Sequence, residues 1–173
     1  MAKTLQLDPT NRNFRARPRN FTIVDGSALT NTVTETTLDS LTLPVNTIKE
    51  VGDELILEGS VNVTSGNSTD TLSLKAKLGS LTLSTSVAAD VANGGDVFHW
   101  RVVLLFRAVG ASGKAVVKSA EFNYAGGALG AVSTQGELSI DTTATQLAAI
   151  RGTWSNASSS NSCKSQAFSY AVD

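Results

Sequence analysis

The sequence predicts an all-β domain, an antiparallel two-sheet sandwich, carried behind an extended basic arm. Three observations lead there. From Phe21 onward apolar residues recur with period two, the spacing of a half-buried strand. The runs are separated by turns rich in Asn, Gly, Asp and Ser. No segment shows a convincing helical spacing, and 173 residues suit a single core. The expected division is an arm at 1–20 and a sandwich at 21–173.

The arm comes first. Residues 1–20 carry Lys3, Arg12, Arg15, Arg17 and Arg19 against Asp8 alone, a net +4. The remaining 9 basic and 14 acidic residues give −5 for the body, within an overall charge of −1. Pro18 among the arginines suits an extended chain better than a helix. Alternating Arg15, Arg17 and Arg19 would project to one side, where a carboxylate-rich surface can pair with them. Arg12, Phe14, Arg15, Arg17 and Arg19 are therefore the candidate partner-binding residues. A solvated tail is the competing reading. Nucleic acid is a poor fit, because the acidic body opposes approach to a phosphate backbone.

The strands follow in order. DELILEGSVNVT places Leu55, Leu57, Val61 and Val63 on one face and Glu54, Glu58, Ser60 and Asn62 on the other. TLSLKAKLG sets Leu72, Leu74, Ala76 and Leu78 against Ser73, Lys75 and Lys77, and SLTLSTSVA continues through Leu81 and Leu83 after a break at Gly79. VFHWRVVLLFRAV is the longest candidate, with Phe98, Trp100, Val102, Leu104 and Phe106 on one apolar face. Its other face, with His99, Arg101, Val103, Leu105 and Arg107, is mixed, which suits a central strand whose outer side is partly covered by another subunit or loop. His99, Arg101, Val103 and Leu105 are the candidate oligomer-interface residues. AVGASG turns the chain into KAVVKSAEFNY. AGGALGAVSTQGE is rich enough in glycine to read as a long loop. QLAAI would also start a short helix, but its β-forming neighbours favour a strand. CKSQAFSYAVD is the last strand. Long, irregularly spaced strands make a jelly roll the leading topology; an immunoglobulin-like order stays open, although its Cys…Trp…Cys spacing is absent.

Chemistry finds little footing. The one imidazole is His99, and no GxSxG elbow accompanies it, so a packing or interface role is expected and catalytic residues are not. His99 and Cys163 stand too far apart in sequence for a tight-spacing zinc set. Asp90, Asn93 and Asp96 offer loop oxygens, but a solvated loop explains them better than calcium does. Asp53 and Glu54 are adjacent, so on a strand they point to opposite faces and cannot act together on one bond. Gly94–Gly95 and the glycines of 126–130 match no phosphate-binding pattern. Neither a cofactor nor a metal is expected. Cys163 alone forms no internal bridge, and its role is left open. The amino terminus lacks the apolar core of a secretory signal and no run matches a membrane span, so a soluble chain made in the cytoplasm, without membrane or nucleic-acid partners, is expected.

The segments ALTNTVTETTL, LTLPVNTI, GDELILEGSVNVT and TDTLSLKAKLG, with the ending DTTATQLAAIRGTWSNASSSNSCKSQAFSYAVD, resemble a strand-and-turn pattern of tailed-bacteriophage structural proteins. The resemblance covers roughly residues 27–86 and 136–173 and carries no catalytic signature. It implies a jelly-roll sandwich, a non-enzymatic head decoration (cement) protein that binds the assembled shell as a homotrimer and reinforces it. Its partners would be the major capsid protein or neighbouring decoration subunits, and its place the outer capsid surface of the virion. The alternative is a receptor- or glycan-binding domain of a tail fibre or spike. The arm and the VFHWRVV strand lie outside the matched segments.

Overall fold

A computed structural model describes residues 19–22, 25–66, 69–91, 95–124, 127–134 and 136–173. The described residues form strands and turns without a helix. In chain order the strands are β1 (Arg19–Phe21), β2 (Ala28–Thr30), β3 (Thr36–Leu43), β4 (Glu54–Thr64), β5 (Thr71–Leu78), β6 (Leu81–Ser86) and β7 (Ala89–Asp90). They continue with β8 (Asp96–Ala108), β9 (Lys114–Tyr124), β10 (Gly127–Leu129), β11 (Ala131–Ser133), β12 (Leu138–Ser139), β13 (Gln146–Trp154) and β14 (Ser162–Val172).

Their pairing is that of a jelly roll, a long antiparallel hairpin rolled over on itself. Short β1 and β2 both pair with β14, so together they act as the first strand against the last. β3 pairs with β13, β4 with β8 and β5 with β6. Rolling these four pairs places β1/β2, β14, β4 and β8 side by side in one sheet and β3, β13, β5 and β6 in the other. β9 and β10 extend the first sheet beyond β8, and β11 extends the second beyond β6. The stretch read from sequence as a long loop thus contains two short strands. Only Gly130 separates them, and the chain passes there from the edge of the larger sheet to the edge of the smaller. Glycine-rich composition hid them because their order comes from pairing with β9 and β6, not from side-chain pattern.

The core is built as the alternation predicted. Leu55, Leu57, Val61 and Val63 of β4 and Phe98, Trp100, Val102, Leu104 and Phe106 of β8 are buried, facing Leu72, Leu74, Ala76 and Leu78 of β5 across the sandwich. QLAAI opens β13, where Ala148 and Ile150 are buried. Phe98 stacks on Tyr124 with ring centroids 5.4 Å apart, and Trp100 tilts against Phe168 at 5.2 Å. Such ring pairs add about 0.5–1.5 kcal/mol beyond the area they bury.

One irregularity shapes the outer surface. β14 shifts register against β4 between Ser165 and Ala167, so its inward set changes from Cys163 and Ser165 to Phe168, Tyr170 and Val172. At this bulge β4 presents Gly59. A Cβ there would collide with the Ala167 carbonyl and press on Trp100 Nε1 at 3.0 Å. The two strands come together only because the side chain is absent.

Candidate docking face on the larger sheet

The outward side chains of β8 stand in rows set by the pleat and the cross-strand register. One row runs Ala171, Ile56, Val103 and Ser119; the next runs Ser169, Glu58, Arg101 and Glu121; the third holds Ser60, His99 and Asn123. All four candidate interface residues are therefore on one face, but they differ in exposure.

Val103 is only 3 % exposed, because Ile56 and Ala171, its neighbours in the row, form a small apolar cluster with it. Its burial comes from its own chain, which corrects the expectation that association between subunits would cover it. The mixed pattern along β8 could not reveal this, since the covering residues lie on β4 and β14. Leu105 is half-buried opposite Glu54, whose carboxylate accepts from Lys118 Nζ at 2.5 Å. Arg101 is exposed and pairs with Glu58, Nε to Oε2 at 3.5 Å. His99 is exposed as well, so it is no packing residue.

Around His99 and Arg101 the face sinks into a depression of about 430 Å³, lined also by Glu58, Gly59, Ser60, Trp100, Asn123, Ala167 and Ser169. The hollow exists because β4 and β14 carry small residues here, beside the bulge. Trp100 Nε1 is buried beneath it with no hydrogen-bond partner among the described residues. Ser60, Ser169, His99 and Glu58 share this hollow, yet among the described residues no hydrogen bond joins the imidazole to a hydroxyl or carboxylate. The arrangement offers donors and acceptors to a bound surface.

The chain enters the sandwich on the same face. Arg19, counted with the arm from sequence, is instead the first residue of β1, and its register partner is Ala171. Phe21 pairs with Ser169, which puts its 65 % exposed ring in the row of Glu58 and Arg101. Arg12, Phe14, Arg15 and Arg17 lie outside the described residues, as does Asn93 of the weak calcium candidate. Among the described residues no three His, Cys, Asp or Glu side chains converge as metal ligands. Among the described residues no helix is long and apolar enough to cross a membrane. Asp53 and Glu54 diverge as adjacent strand residues should: Asp53 Oδ2 accepts from the backbone N–H groups of Lys49 and Glu50, whereas Glu54 reaches Lys118. Cys163 is fully buried, and burial pushes its thiol up to about 12.

Sequence reasoning placed Glu58 and Ser60 on the solvent side of β4 but had no means of joining them to Asn123, Ser169 and Phe21. The bulge and the strand order make that connection.

No protein-family profile matches the chain, and no curated protein matches it. Among solved structures, one that the chain is similar to is the CBM2 module of the evolved Dit of Lactobacillus casei BL23 phage J-1. The identity is 11 %, the TM-score 0.34, and the match covers 76 % of this chain and 67 % of that one. The jelly-roll assignment rests on the strand pairing of the present chain, whose described residues form an all-β, two-sheet sandwich.

Proposed function

We propose that this chain is a non-enzymatic structural protein of a tailed-phage virion, a decoration protein that docks on the assembled shell through its basic arm and the outer face of the larger sheet. The observation that carries the reading is the placement of β1. The strand that continues the arm lies at the edge of the sheet bearing His99 and Arg101, with Arg19 and Phe21 in the rows of that face. β1 and the face thus form one continuous surface, with the exposed Phe21 ring at its border. The sequence resemblance to phage structural proteins supports the same reading.

In this role the protein self-associates, with a homotrimer as the expected form, and each subunit bridges shell proteins. Binding to the assembled state and not to its parts stabilises assembly by mass action. The arm adds a tether whose electrostatic share weakens as salt screens it. A second reading, a receptor- or glycan-binding domain of a tail fibre or spike, is favoured by the hollow beside His99, where Arg101, Asn123 and Glu58 supply both donors and acceptors.

The test combines light scattering of the purified protein with cosedimentation on assembled shells that lack it. A trimer that pellets with shells, and pellets less when residues 1–18 are deleted, is the expected result. Equal pelleting of the truncated protein would remove the role given to the arm. A protein that ignores shells but adsorbs to host cells would replace decoration with receptor binding.

A further inference from the structure

The outer face of the smaller sheet carries a cationic cluster that the docking face does not involve. Lys75 and Lys77 alternate outward on β5, and Arg151 on β13 is the register partner of Lys75. All three turn toward one carboxylate, Glu35, just ahead of β3. Lys75 Nζ is ion-paired to Oε2, Arg151 Nη1 donates to Oε1 at 3.2 Å, and Lys77 Nζ stays 4.0 Å from Oε1. Three cations against one anion leave an excess of two positive charges.

The donors exceed what Glu35 can accept. Two ammonium groups and a guanidinium carry many more N–H bonds than one carboxylate has lone pairs. Among the described residues, the Lys77 side chain, only 16 % exposed, makes no hydrogen bond at normal distance, and Arg151 Nε is buried without a partner. A half-desolvated cation with an unfilled donor set is costly unless an acceptor arrives from outside. The surroundings invite contact: Val132, 68 % exposed, stands in the row of Thr85, Lys75 and Arg151, and Leu147, 49 % exposed, lies further along β13.

We propose that this face receives the acidic surface of a second copy of the chain. The argument is charge complementarity. From residue 19 to the end, the chain outside the cluster holds seven Lys or Arg against thirteen Asp or Glu, a net of −6. A cluster of +2 on one side of an otherwise acidic body pairs with a different surface of its neighbour. The contact is therefore heterologous, a head-to-tail contact that adds subunits one after another and ends in a ring where the rotation closes. The inference rests on the self-association in the reading above and names the face that drives it.

The test is sedimentation velocity of the full-length protein over a concentration series, at low and high salt, for wild type and Lys77→Glu. Lys77→Glu reverses the charge of the cation that makes only the long 4.0 Å contact with Glu35, and Lys77→Gln removes that charge without placing a second carboxylate beside Glu35, with thermal unfolding reporting that both fold. The expected result is salt-sensitive association of the wild type, with the half-association concentration raised at least about tenfold in Lys77→Glu and less in Lys77→Gln. A head-to-tail contact adds a further expectation. The Lys77→Glu chain keeps its acidic surface, so mixed with wild type it should cap growing assemblies and lower their mean mass. Unchanged association in Lys77→Glu overturns the proposal, as does a variant that neither associates nor caps. A wild type that is monomeric throughout overturns it too. If that monomer still pellets with shells, the decoration reading stands without this contact.

Discussion

Replacing Glu35 by Gln removes the one anion among three cations and keeps the shape of the side chain. Lys75 and Arg151 lose the charge on their hydrogen-bond acceptor, and Lys77 loses the carboxylate that faces it at 4.0 Å. The pairs are partly exposed, with side-chain exposures of 31 % for Lys75, 34 % for Arg151 and 27 % for Glu35, so each contributes in the range of surface pairs, about 0.5–1 kcal/mol. Two such pairs, with the repulsion among the cations left behind, amount to roughly 1–2 kcal/mol at neutral pH. The hydrogen bond from Lys75 holds the Glu35 carboxyl below its ordinary value of 4.5, helped by Arg151 and by the charges of Lys75 and Lys77, and together they outweigh the opposing effect of burial. A lowered folded-state pKa gives stability that is present above 4.5 and is lost as pH falls through the folded value. Urea unfolding of wild type and Glu35→Gln should therefore differ at pH 7 and converge in acid. The wild-type-minus-variant difference cancels the other carboxylates, which titrate in both proteins. Equal differences at both pH values, or none at neutral pH, would refute the reasoning.

Two other outcomes follow from the core. Phe98→Ala empties a fully buried site stacked on Tyr124 and should cost about 3–5 kcal/mol in denaturant unfolding, and a loss below about 1 kcal/mol would show that the ring is not packed as described. Cys163, with its thiol pushed up to about 12 by burial, should resist iodoacetamide at mildly alkaline pH in the native protein and react on unfolding; stoichiometric labelling of the folded chain would contradict its placement.

Much of this fold was legible in the sequence because a strand in a sandwich writes its orientation locally. The parity of Leu55, Leu57, Val61 and Val63, or of Phe98 through Phe106, identifies the buried side without knowledge of any partner. Partners are not local, and there the reading ran out. On its own strand Val103 reads as an interface residue, since nothing in β8 signals that Ile56 and Ala171 cover it. The glycine-rich stretch hid β10 and β11, whose order comes from hydrogen bonds to β9 and β6. The bulge in β14 exchanged the faces of that strand midway, and with Gly59 it opened the hollow around His99.

The sequence by itself determined the all-β class, the inward residues of the long strands and the contrast in charge between the basic first 20 residues and the acidic remainder, since each depends on spacing or charge along the chain. Only the tertiary structure decided which strands are neighbours, and with them the rows of the docking face and the meeting of Lys75, Lys77 and Arg151 around Glu35. The physical reason is that a cross-strand contact joins residues distant in sequence, through hydrogen bonds between backbones that every residue carries alike, so the pairing leaves little trace in the pattern of either strand.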